Sequence, residues 1–361
     1  MSGSTDFSVR PLRGSILRLV SRSFYLSIRI LPRRLREPVA LAYLLARATD
    51  TVADTARIPW AVRTQTLQTL SNLIQGKAPR EGIDSLAALG SAAGIAHPSR
   101  STPVGSIADL VSSFAPLQEN AAERTLLESL PHCLEWLEQL KAPDRDDVRG
   151  VLAKITQGQM LDVQRFSNPA EVRALATAAD LDEYTYLVAG CVGEFWTQLC
   201  FRHVRKFARL SEEEMLEHGK RYGMGLQLIN ILRDAGADLR AGRCYFPNEE
   251  LAAARMDASQ ILREPERFQP IYRKWLESAG HGVEAGMQYS RAIRHRRIRA
   301  ATVLPALIGT RTLALLRGAG ATVLHRKIKA PRRQVQAMIA SLMMTLASRS
   351  KIDAMFRRLS L

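Results

Sequence analysis

Three charged residues in the stretch LLARATDTVADT, at positions 44–55, carry the first chemical signal in this sequence. Arg47, Asp50 and Asp54 are three and four residues apart, so on a helix they share one face with Tyr43. The residues around them are mostly apolar, and burying a carboxylate is costly unless a cation or hydrogen bonds compensate. A solvated helix face and one side of a metal site would both produce this pattern. A second acidic stripe elsewhere in the chain would favour the metal site.

A matching acidic stripe follows in GMGLQLINILRDAGADLRAGRCYFP, at positions 223–247. Amide and carboxylate side chains recur there at spacings of three, four and four, on one face of an apolar helix: Gln227, Asn230, Asp234 and Asp238. We expect the two D-x-x-x-D stripes to be buried and to face each other. Their oxygen ligands suit Mg²⁺, which binds through a few carboxylates plus substrate phosphate. Arg47, Arg233 and Arg243 are suited to bidentate contacts with diphosphate oxygens.

Helical periodicity dominates the rest of the chain, and no alternating strand of useful length stands out, so we predict an all-α fold. One predicted helix opens near Pro38 and carries the first stripe. The other predicted helices are 60–76, 107–117, 120–141, 145–167, 169–178, 181–203, 211–238, 269–292, 300–317 and 331–358. The segment 78–106, rich in small residues, is interpreted as a surface excursion.

We predict three regions: an N-terminal tail at 1–14, a single large helical domain at 15–320, and a basic amphipathic C-terminal helix at 321–361. The apolar positions of that last helix include Val335, Met338, Ile339, Leu342, Met343 and Leu346. Two interpretations stay open for it: packing on the core, or lying on a membrane surface.

Composition limits the kinds of partner and the cellular compartment that fit this chain. The chain has 361 residues, a net charge of +16 and a pI of about 10.2, which favours anionic partners. Its aromatic residues, 6% of the chain, do not interleave with the basic clusters, so we predict no nucleic-acid partner. Cys133, Cys191, Cys200 and Cys244 lack zinc or disulfide spacing and are interpreted as thiols in a reducing compartment. We expect neither a secretory signal nor a transmembrane helix.

The chain that carries these two stripes resembles the squalene/phytoene synthase family of head-to-head prenyl synthases. The matching pieces are SRSFYLSIRILPRRLREPVALAYLLARATDTVAD (21–54), YTYLVAGCVGEFWTQL (184–199) and GLQLINILRDAGADLRAGRCYFP (225–247). The resemblance implies an all-α prenyl-synthase fold with a central cavity. It also implies Mg²⁺ ligands at the two acidic stripes: Asp50, Asp54, Asn230, Asp234 and Asp238.

The same resemblance implies roles for further residues. Diphosphate would be bound by the arginines at positions 22, 47, 233 and 243, and Phe24 and Gln227 would line the pocket. Tyr43 and Tyr184 would line the reaction centre, so the expected catalytic residues are Tyr43, Tyr184, Arg47, Asp50 and Asp234. Arg22 could instead solvate a helix end, and Tyr184 could be a core tyrosine. Ala189, Gly190 and Gly193 would first of all form a close-packing face between helices.

The reaction implied is condensation of two farnesyl diphosphates to squalene, with reduction by NADPH. The alternatives are a phytoene or dehydrosqualene synthase that needs no reductant, and a catalytically inactive relative. No Gly-rich dinucleotide fingerprint is present, so NADPH rests on resemblance alone, with Asn230 the one possible cofactor contact. The apolar product and the basic surface favour a cytoplasmic enzyme that touches the membrane peripherally.

Overall fold

The computed structural model describes residues 11–21, 24–77, 106–345 and 347–360. The predicted tail at 1–14, the excursion at 78–106, Arg22 and Leu346 therefore lie wholly or mostly outside the described residues. The chain forms two compact units, Met1–Gln164 and Arg165–Leu361. The predicted domain limits at residues 15 and 320 remain predictions.

The first unit is helical throughout its described part. After a short π-turn at Leu12–Ile16, its helices are α1 (Leu17–Ser21), α2 (Phe24–Arg29), α3 (Arg33–Asp54), α4 (Trp60–Ile74), α5 (Ile107–Phe114), α6 (Ala121–Glu128), α7 (Leu130–Gln139) and α8 (Ala142–Arg165). Helix α3 begins at Arg33, five residues before the predicted opening at Pro38, and continues through that proline. The predicted helix 120–141 is interrupted at Ser129, because Pro131 begins a new helix there.

The second unit is helical except for one pair of short strands. Its elements are β1 (Arg173–Leu175), α9 (Ala178–Thr185), a π-turn at Tyr186–Gly190, α10 (Cys191–His203), α11 (Glu212–Arg240), β2 (Arg243–Pro247), α12 (Asn248–Ala253), α13 (Pro265–Ala292), α14 (Arg296–Ala319), a 3₁₀ turn at Gly320–Leu324, α15 (Arg332–Met344) and α16 (Arg349–Leu359). Helix α11 packs chiefly against α13 and α10 and forms the centre of this unit.

Local sequence explains where α11 begins and ends. The Ser211 hydroxyl accepts a hydrogen bond from the Glu214 backbone N–H, and the Glu214 carboxylate accepts one from the Ser211 backbone N–H, so a capping box opens the helix. Three glutamates, Glu212, Glu213 and Glu214, stand in the first turn, where the helix dipole favours negative charge. Beyond Arg240, Gly242 adopts φ +80°, and an added Cβ there would lie 3.0 Å from the Pro169 carbonyl oxygen. Only glycine suits this turn into β2.

The parallel strand pair was not predicted. The stretch 169–178, predicted as a helix, instead contains β1, which pairs with β2 so that Arg173 lies opposite Arg243. Three residues are too few for an alternating pattern to show in a sequence, and the partner strand is distant in the chain. The consequence is that the start of β2 is fixed immediately after α11, which positions Arg243.

The close-packing face predicted at Ala189, Gly190 and Gly193 is confirmed. A Cβ on Gly193 would lie 1.9 Å from the Gly219 carbonyl oxygen, and one on Gly223 would lie 2.2 Å from the Ala189 carbonyl oxygen. Real Cβ atoms do not approach backbone so closely, so α10 and the π-turn before it contact α11 backbone to backbone. This contact holds α11 in place along the segment that leads to its acidic stripe.

We expect Gly193→Ala to lower the free energy of unfolding by about 2–4 kcal/mol, because the added methyl group must push α10 and α11 apart. Urea unfolding followed by circular dichroism measures this change. The matched control is Gly150→Ala in α8, where a Cβ meets nothing within 4 Å and should stabilise by about 0.5–1 kcal/mol. Equal stability of the two variants would contradict the close contact.

The C-terminal residues form two helices rather than the single predicted one. Helix α15 ends at Met344, and Ala347, at φ +50°, separates it from α16. Their apolar residues Met338, Leu342, Ile352 and Met355 belong to the core of the second unit, which confirms packing on the core. Met343 departs from the predicted apolar face, because its side chain is exposed.

One described segment, Arg296–Leu324, is long and apolar enough to cross a membrane by length and composition, although we expected none. Of its most apolar window, 67% is buried inside the protein, as in the core helix of a globular protein. All four cysteine side chains are buried, and none forms a disulfide.

Candidate functional site

The first acidic stripe lies in the last two turns of α3. Leu41, Leu44, Leu45 and Val52 turn inward and are fully buried, and this anchors the helix in the first unit. The opposite face carries Arg47 and Asp50, whose Nη1 and Oδ2 atoms are 2.6 Å apart. Asp54, one turn further on, is exposed. The structure therefore brings the predicted Arg47, Asp50 and Asp54 to one face.

Glu123, near the start of α6, joins this cluster and was not predicted. Its carboxylate lies 2.5 Å from Nη2 of Arg47, so one guanidinium bridges Asp50 and Glu123. Glu123 lies 76 residues from Arg47 in sequence, and no local spacing links the two. The capping sequence N-A-A-E at 120–123 gave only a helix-start signal.

Negative charge is in excess in this first cluster. Removal from water, then the charge of Asp54, raises the pKa of Asp50 to about 7, and Glu123 adds to the effect. Arg47 opposes the rise without cancelling it. The Asp50 side chain keeps 41% of its surface exposed, so a ligand in solvent can reach it. Two carboxylates that share one guanidinium therefore favour a further cation.

The second acidic stripe occupies the C-terminal half of α11. Asn230 Nδ2 donates to Gln227 Oε1 at 3.3 Å, and Asp234 pairs with the neighbouring guanidinium of Arg233. One turn later, Asp238 Oδ1 lies 3.4 Å from Nη2 of Arg243, which β2 holds in position. The structure thus brings together all the residues predicted for this stripe, including both arginines.

Lys327 adds an unpredicted cation to the second stripe. Its Nζ lies 3.0 Å from Asp234 Oδ1, so the two side chains form an ion pair. Burial opposes ionisation of Asp234, but Arg233 and Lys327 outweigh it and lower the pKa of this carboxyl. Leu324, three residues before Lys327, packs on Gly236 of α11, and the Leu324 carbonyl accepts a hydrogen bond of 3.1 Å from Arg240. These contacts bring the lysine to the stripe. The basic run HRKIKAPRR at 325–333 was the available signal.

We expect Lys327→Gln to bind Mg²⁺ about fivefold more tightly than the unsubstituted protein, because the lysine and the metal compete for Asp234. Calorimetric titration of Mg²⁺ without substrate measures this affinity. Lys274→Gln is the matched control, since the exposed Lys274 forms a comparable ion pair with the more buried Glu250 at 2.6 Å. Tighter Mg²⁺ binding in both variants, or in neither, would show that Lys327 does not compete.

The predicted aromatic residues lie in different surroundings. The Tyr43 hydroxyl donates to the Val20 carbonyl at 3.1 Å, and the ring is half-buried. Tyr184 stacks on Tyr245 with ring centroids 5.2 Å apart, and Phe166 meets Tyr245 edge-on at the same distance. Tyr245 was missed, although it lies in the quoted RCYFP sequence. The side chain of Phe24 lies outside the described part of the structure, as does all of Arg22.

Both acidic stripes are less buried than predicted. Exposed fractions of the side chains are 41% for Asp50, 25% for Asp234 and 17% for Asp238, and Asn230 is exposed. The prediction of buried carboxylates was wrong because apolar neighbours in sequence occupy the other faces of each helix. This exposure suits side chains that meet a ligand from solvent.

The oxygen donors present fit a divalent cation bound together with its ligand. In the described ranges, no three His, Cys, Asp or Glu side chains converge closely enough to hold an ion by themselves. Mg²⁺ keeps several waters and commonly uses one or two carboxylates plus phosphate oxygens, so it does not require such a convergence. In the first cluster the carboxylates of Asp50 and Glu123 share the single guanidinium of Arg47, which is the observation that favours a cation there.

The comparison with known families agrees with this arrangement. The squalene/phytoene synthase family model matches residues 17–334, and the chain belongs to this family. Its members are prenyltransferase-type enzymes that act on prenyl diphosphates in isoprenoid biosynthesis. The family range ends beyond Lys327, so both acidic stripes and this lysine fall within it.

Individual relatives are similar at modest identity. The chain is 26% identical to squalene synthase ERG9 of Saccharomyces cerevisiae over 87% of this chain and 63% of that protein. It is 32% identical to a bifunctional lycopene cyclase/phytoene synthase of Arthroderma gypseum over 45% of this chain and 28% of that protein. The chain thus spans less than two thirds of the length of these relatives.

Solved structures support the fold class. The structure of TcSQS with the ligand E5700 superimposes with a TM-score of 0.70 at 21% identity and covers 98% of both chains. A dehydrosqualene synthase in complex with ligand gives a TM-score of 0.60 at 19% identity, covering 95% of this chain and 97% of that one. The predicted all-α isoprenoid-synthase fold is confirmed.

Proposed function

We propose that this protein joins two farnesyl diphosphates head to head, through presqualene diphosphate, and reduces the product to squalene with NADPH. The observation that carries the proposal is the charge pattern of the two stripes. Each D-x-x-x-D carboxylate pair stands beside arginines, Arg47 in the first unit and Arg233 with Arg243 in the second. Such alternation of carboxylates and guanidiniums is suited to a metal–diphosphate ligand.

The arginines and the carboxylates contribute differently to the release of diphosphate. An allylic diphosphate ionises when its leaving group is stabilised, and preorganised charges aimed at that group contribute most to such a reaction. Arg47, Arg233 and Arg243 each hold a carboxylate in this structure and would exchange it for diphosphate oxygens when substrate arrives. Lys327 would likewise exchange Asp234 for diphosphate oxygens.

At the first stripe Mg²⁺ would be held by Asp50 and Asp54, and at the second stripe by Asp234 and Asp238 with Asn230 nearby. The metal would neutralise diphosphate as a Lewis acid. The carboxylates thus position charge, and the arginines bind the diphosphate oxygens that remain. The stacked rings of Tyr184 and Tyr245 offer an aromatic face that can stabilise a carbocation. Tyr43 remains a proposed contact of the reaction centre.

The carbon skeleton changes in two steps. The allylic cation formed by loss of one diphosphate is attacked by the C2–C3 double bond of the second substrate, and loss of a proton closes a cyclopropane. The cyclopropylcarbinyl diphosphate then loses its own diphosphate and rearranges to a 1–1′ linked cation. Hydride addition to this cation gives squalene, whereas proton loss gives a dehydrosqualene or, from geranylgeranyl diphosphate, phytoene.

NADPH belongs to the proposal through resemblance, and no residue is assigned to it. Among the described residues, the two-stranded pair is the only sheet, so the βαβ unit of a dinucleotide-binding domain is absent there. The second candidate function is therefore a phytoene or dehydrosqualene synthase. The chain is similar to bifunctional lycopene cyclase/phytoene synthases as well as to squalene synthases, and this similarity supports the second candidate.

The deciding experiment incubates the protein with farnesyl diphosphate and Mg²⁺, with and without NADPH, and identifies the organic-soluble product by mass spectrometry. Squalene that appears only with NADPH is the expected result. Dehydrosqualene under both conditions would replace squalene synthesis with the second function. Product from geranylgeranyl diphosphate alone would indicate a phytoene synthase, and no product from either substrate would refute both.

The proposal includes peripheral contact with a membrane, because the prenyl substrates carry long apolar tails and squalene is insoluble in water. The net charge of +16 favours an anionic bilayer surface. Placement in the cytoplasm is part of the same proposal.

A further inference from the structure

A dense basic surface lies in the second unit, where α13 ends and α14 begins. The loop after α10 runs antiparallel to this turn: Arg294 N donates to the Phe207 carbonyl at 2.9 Å, and Arg209 N donates to the Ala292 carbonyl at 3.0 Å. The start of α16 lies against the same turn. We define the basic surface as Arg205, Lys206, Arg209, Arg294, Arg296 and Arg349, all exposed except the half-buried Arg349.

Among the residues that the structure describes, the arginines beneath this surface bond to backbone carbonyls, and no ion pair with a carboxylate neutralises them. Arg299 is 4% exposed and donates to backbone carbonyls, 2.8 Å to Ile293 and 2.9 Å to Ala347. Arg349 likewise donates to the Arg291 and Ile293 carbonyls, at 2.6 and 2.8 Å. Burial, then the charges of Arg349, Arg296 and Arg209, lowers the pKa of Arg299 to about 10. The cations therefore repel one another here.

The placement of these arginines works against local stability. Helix α14 has no acidic residue in its first turn, where the dipole disfavours cations, and instead begins with Arg296 and Arg297. Two carboxylates of neighbouring elements have other partners: Asp353 pairs with Arg291 at 2.7 Å, and Glu214 closes the capping box of α11. Arg296 and Arg297 therefore stand against a local electrostatic rule, and cations placed in this way are typical of a binding surface.

Exposed apolar side chains stand beside the basic surface. Met343 and Met344, at the end of α15, are 72% and 80% exposed. Ala347, whose carbonyl accepts from Arg299, follows Met344 by three residues, so its Cα lies within about 11 Å of that of Met344. A nucleic acid would use the cations but gains little from methionine, whereas a bilayer interface takes up both.

We propose that the basic surface, together with Met343 and Met344, docks this protein on anionic lipid headgroups. The arginines bind the headgroup phosphates, and the two methionines enter the boundary between headgroups and acyl chains. This inference rests on the membrane contact in the proposed function and assigns that contact to one surface. It does not involve the acidic stripes.

Co-sedimentation with vesicles tests the assignment. Vesicles of phosphatidylcholine alone are compared with vesicles containing about one third phosphatidylglycerol, at low and high salt. We expect Arg205→Gln/Arg209→Gln/Arg296→Gln to lose roughly fivefold in affinity for the anionic vesicles per charge, on the order of 100-fold in all. Met343→Gln/Met344→Gln should weaken the part of the binding that persists at high salt.

The matched control removes three exposed arginines elsewhere in the same unit: Arg255→Gln/Arg263→Gln/Arg273→Gln. Arg273 precedes Ala292 by 19 residues on α13, about 28 Å along the helix axis. We expect the control triple variant to lose less than about fivefold. Equal loss of vesicle affinity in both triple variants would show that only the net charge of the protein matters, and this would overturn the assignment. No binding of the unsubstituted protein would overturn it as well.

Two further measurements separate this inference from the proposed function. Turnover of farnesyl diphosphate in vesicle-free buffer should be unchanged in the basic-surface variants, and circular dichroism should show that they fold. Vesicle binding without any prenyl product would refute the proposed function and leave the docking surface intact. Binding to double-stranded DNA that is lost in the same triple variant, with no preference for anionic vesicles, would make the partner a nucleic acid and refute the lipid assignment.

Discussion

Asp50→Asn is expected to abolish turnover of prenyl diphosphate and, in metal-free buffer at neutral pH, to make the folded protein more stable. Turnover should fall by at least about 100-fold, because a charge that positions the diphosphate is lost. The gain in stability follows from the raised pKa of about 7. Above that pH, the folded protein holds an ionised carboxylate that is partly removed from water and lies near the charges of Asp54 and Glu123, and the amide relieves both costs.

The sign of the pH dependence is fixed by the same pKa. Between the unfolded value of 3.8 and about 7, the folded protein binds more protons than the unfolded chain, so Asp50 lowers stability as pH rises through this window. The Asn variant lacks this dependence, and its advantage should vanish below pH 4. With 41% of the side chain exposed, solvent screening limits the gain to about 1 kcal/mol.

Asp234→Asn should lose turnover to the same degree but change stability in the opposite direction. Arg233 and Lys327 lower the pKa of Asp234, so its ionised form stabilises the fold above the unfolded pKa and the contribution is lost in acid. We expect destabilisation of about 1 kcal/mol at neutral pH. Thermal unfolding without metal, and single-turnover assays with farnesyl diphosphate, measure the two effects.

Asp146→Asn, on the exposed face of α8, is the control and should change neither quantity. Near-normal turnover in either the Asp50 or the Asp234 variant would refute the proposed role of that stripe. Loss of turnover with stability changes of the same sign in both variants would contradict the electrostatics derived for the two clusters.

Periodicity predicted what lies within single helices. The faces of α3 and α11 follow from spacings of three and four residues, and the structure places Asp50 beside Arg47 as that spacing requires. The glycines of α10 were predicted as a packing face, because small residues at helical spacing permit backbone contact. These features depend on residues close in sequence, so a sequence displays them.

Contacts between distant segments were not predictable in this way. Glu123 and Lys327 reach the acidic stripes through the packing of α6 and of the turn after α14, and no periodicity in α3 or α11 refers to them. The strand pair was hidden because β1 has three residues and depends on the turn at Gly242. The excess of carboxylates around Arg47 became visible only with Glu123 in place.

That excess makes Arg47 the residue whose loss should cost most. Arg47→Met would leave Asp50, Asp54 and Glu123 without the guanidinium that now bridges two of them. We expect turnover to fall by at least about 100-fold, because a diphosphate contact disappears along with the charge balance of the cluster. The pKa of Asp50 should rise further, since Arg47 is the cation that lowers it. A pH titration of the Asp50 carboxyl in metal-free buffer, followed by NMR, would detect this rise.

A double-mutant cycle separates the role of Arg47 in the fold from its role in substrate binding. Glu123→Gln added to Arg47→Met should recover stability, with a coupling energy between about 0.5 and 3 kcal/mol, but should not recover turnover. The control cycle uses Arg57 and Glu119, an exposed pair 3.0 Å apart in the same unit, whose coupling should lie below about 0.5 kcal/mol. Recovery of turnover in the double variant would mean that Arg47 serves only to neutralise Glu123, and diphosphate binding would then fall to Arg233 and Arg243.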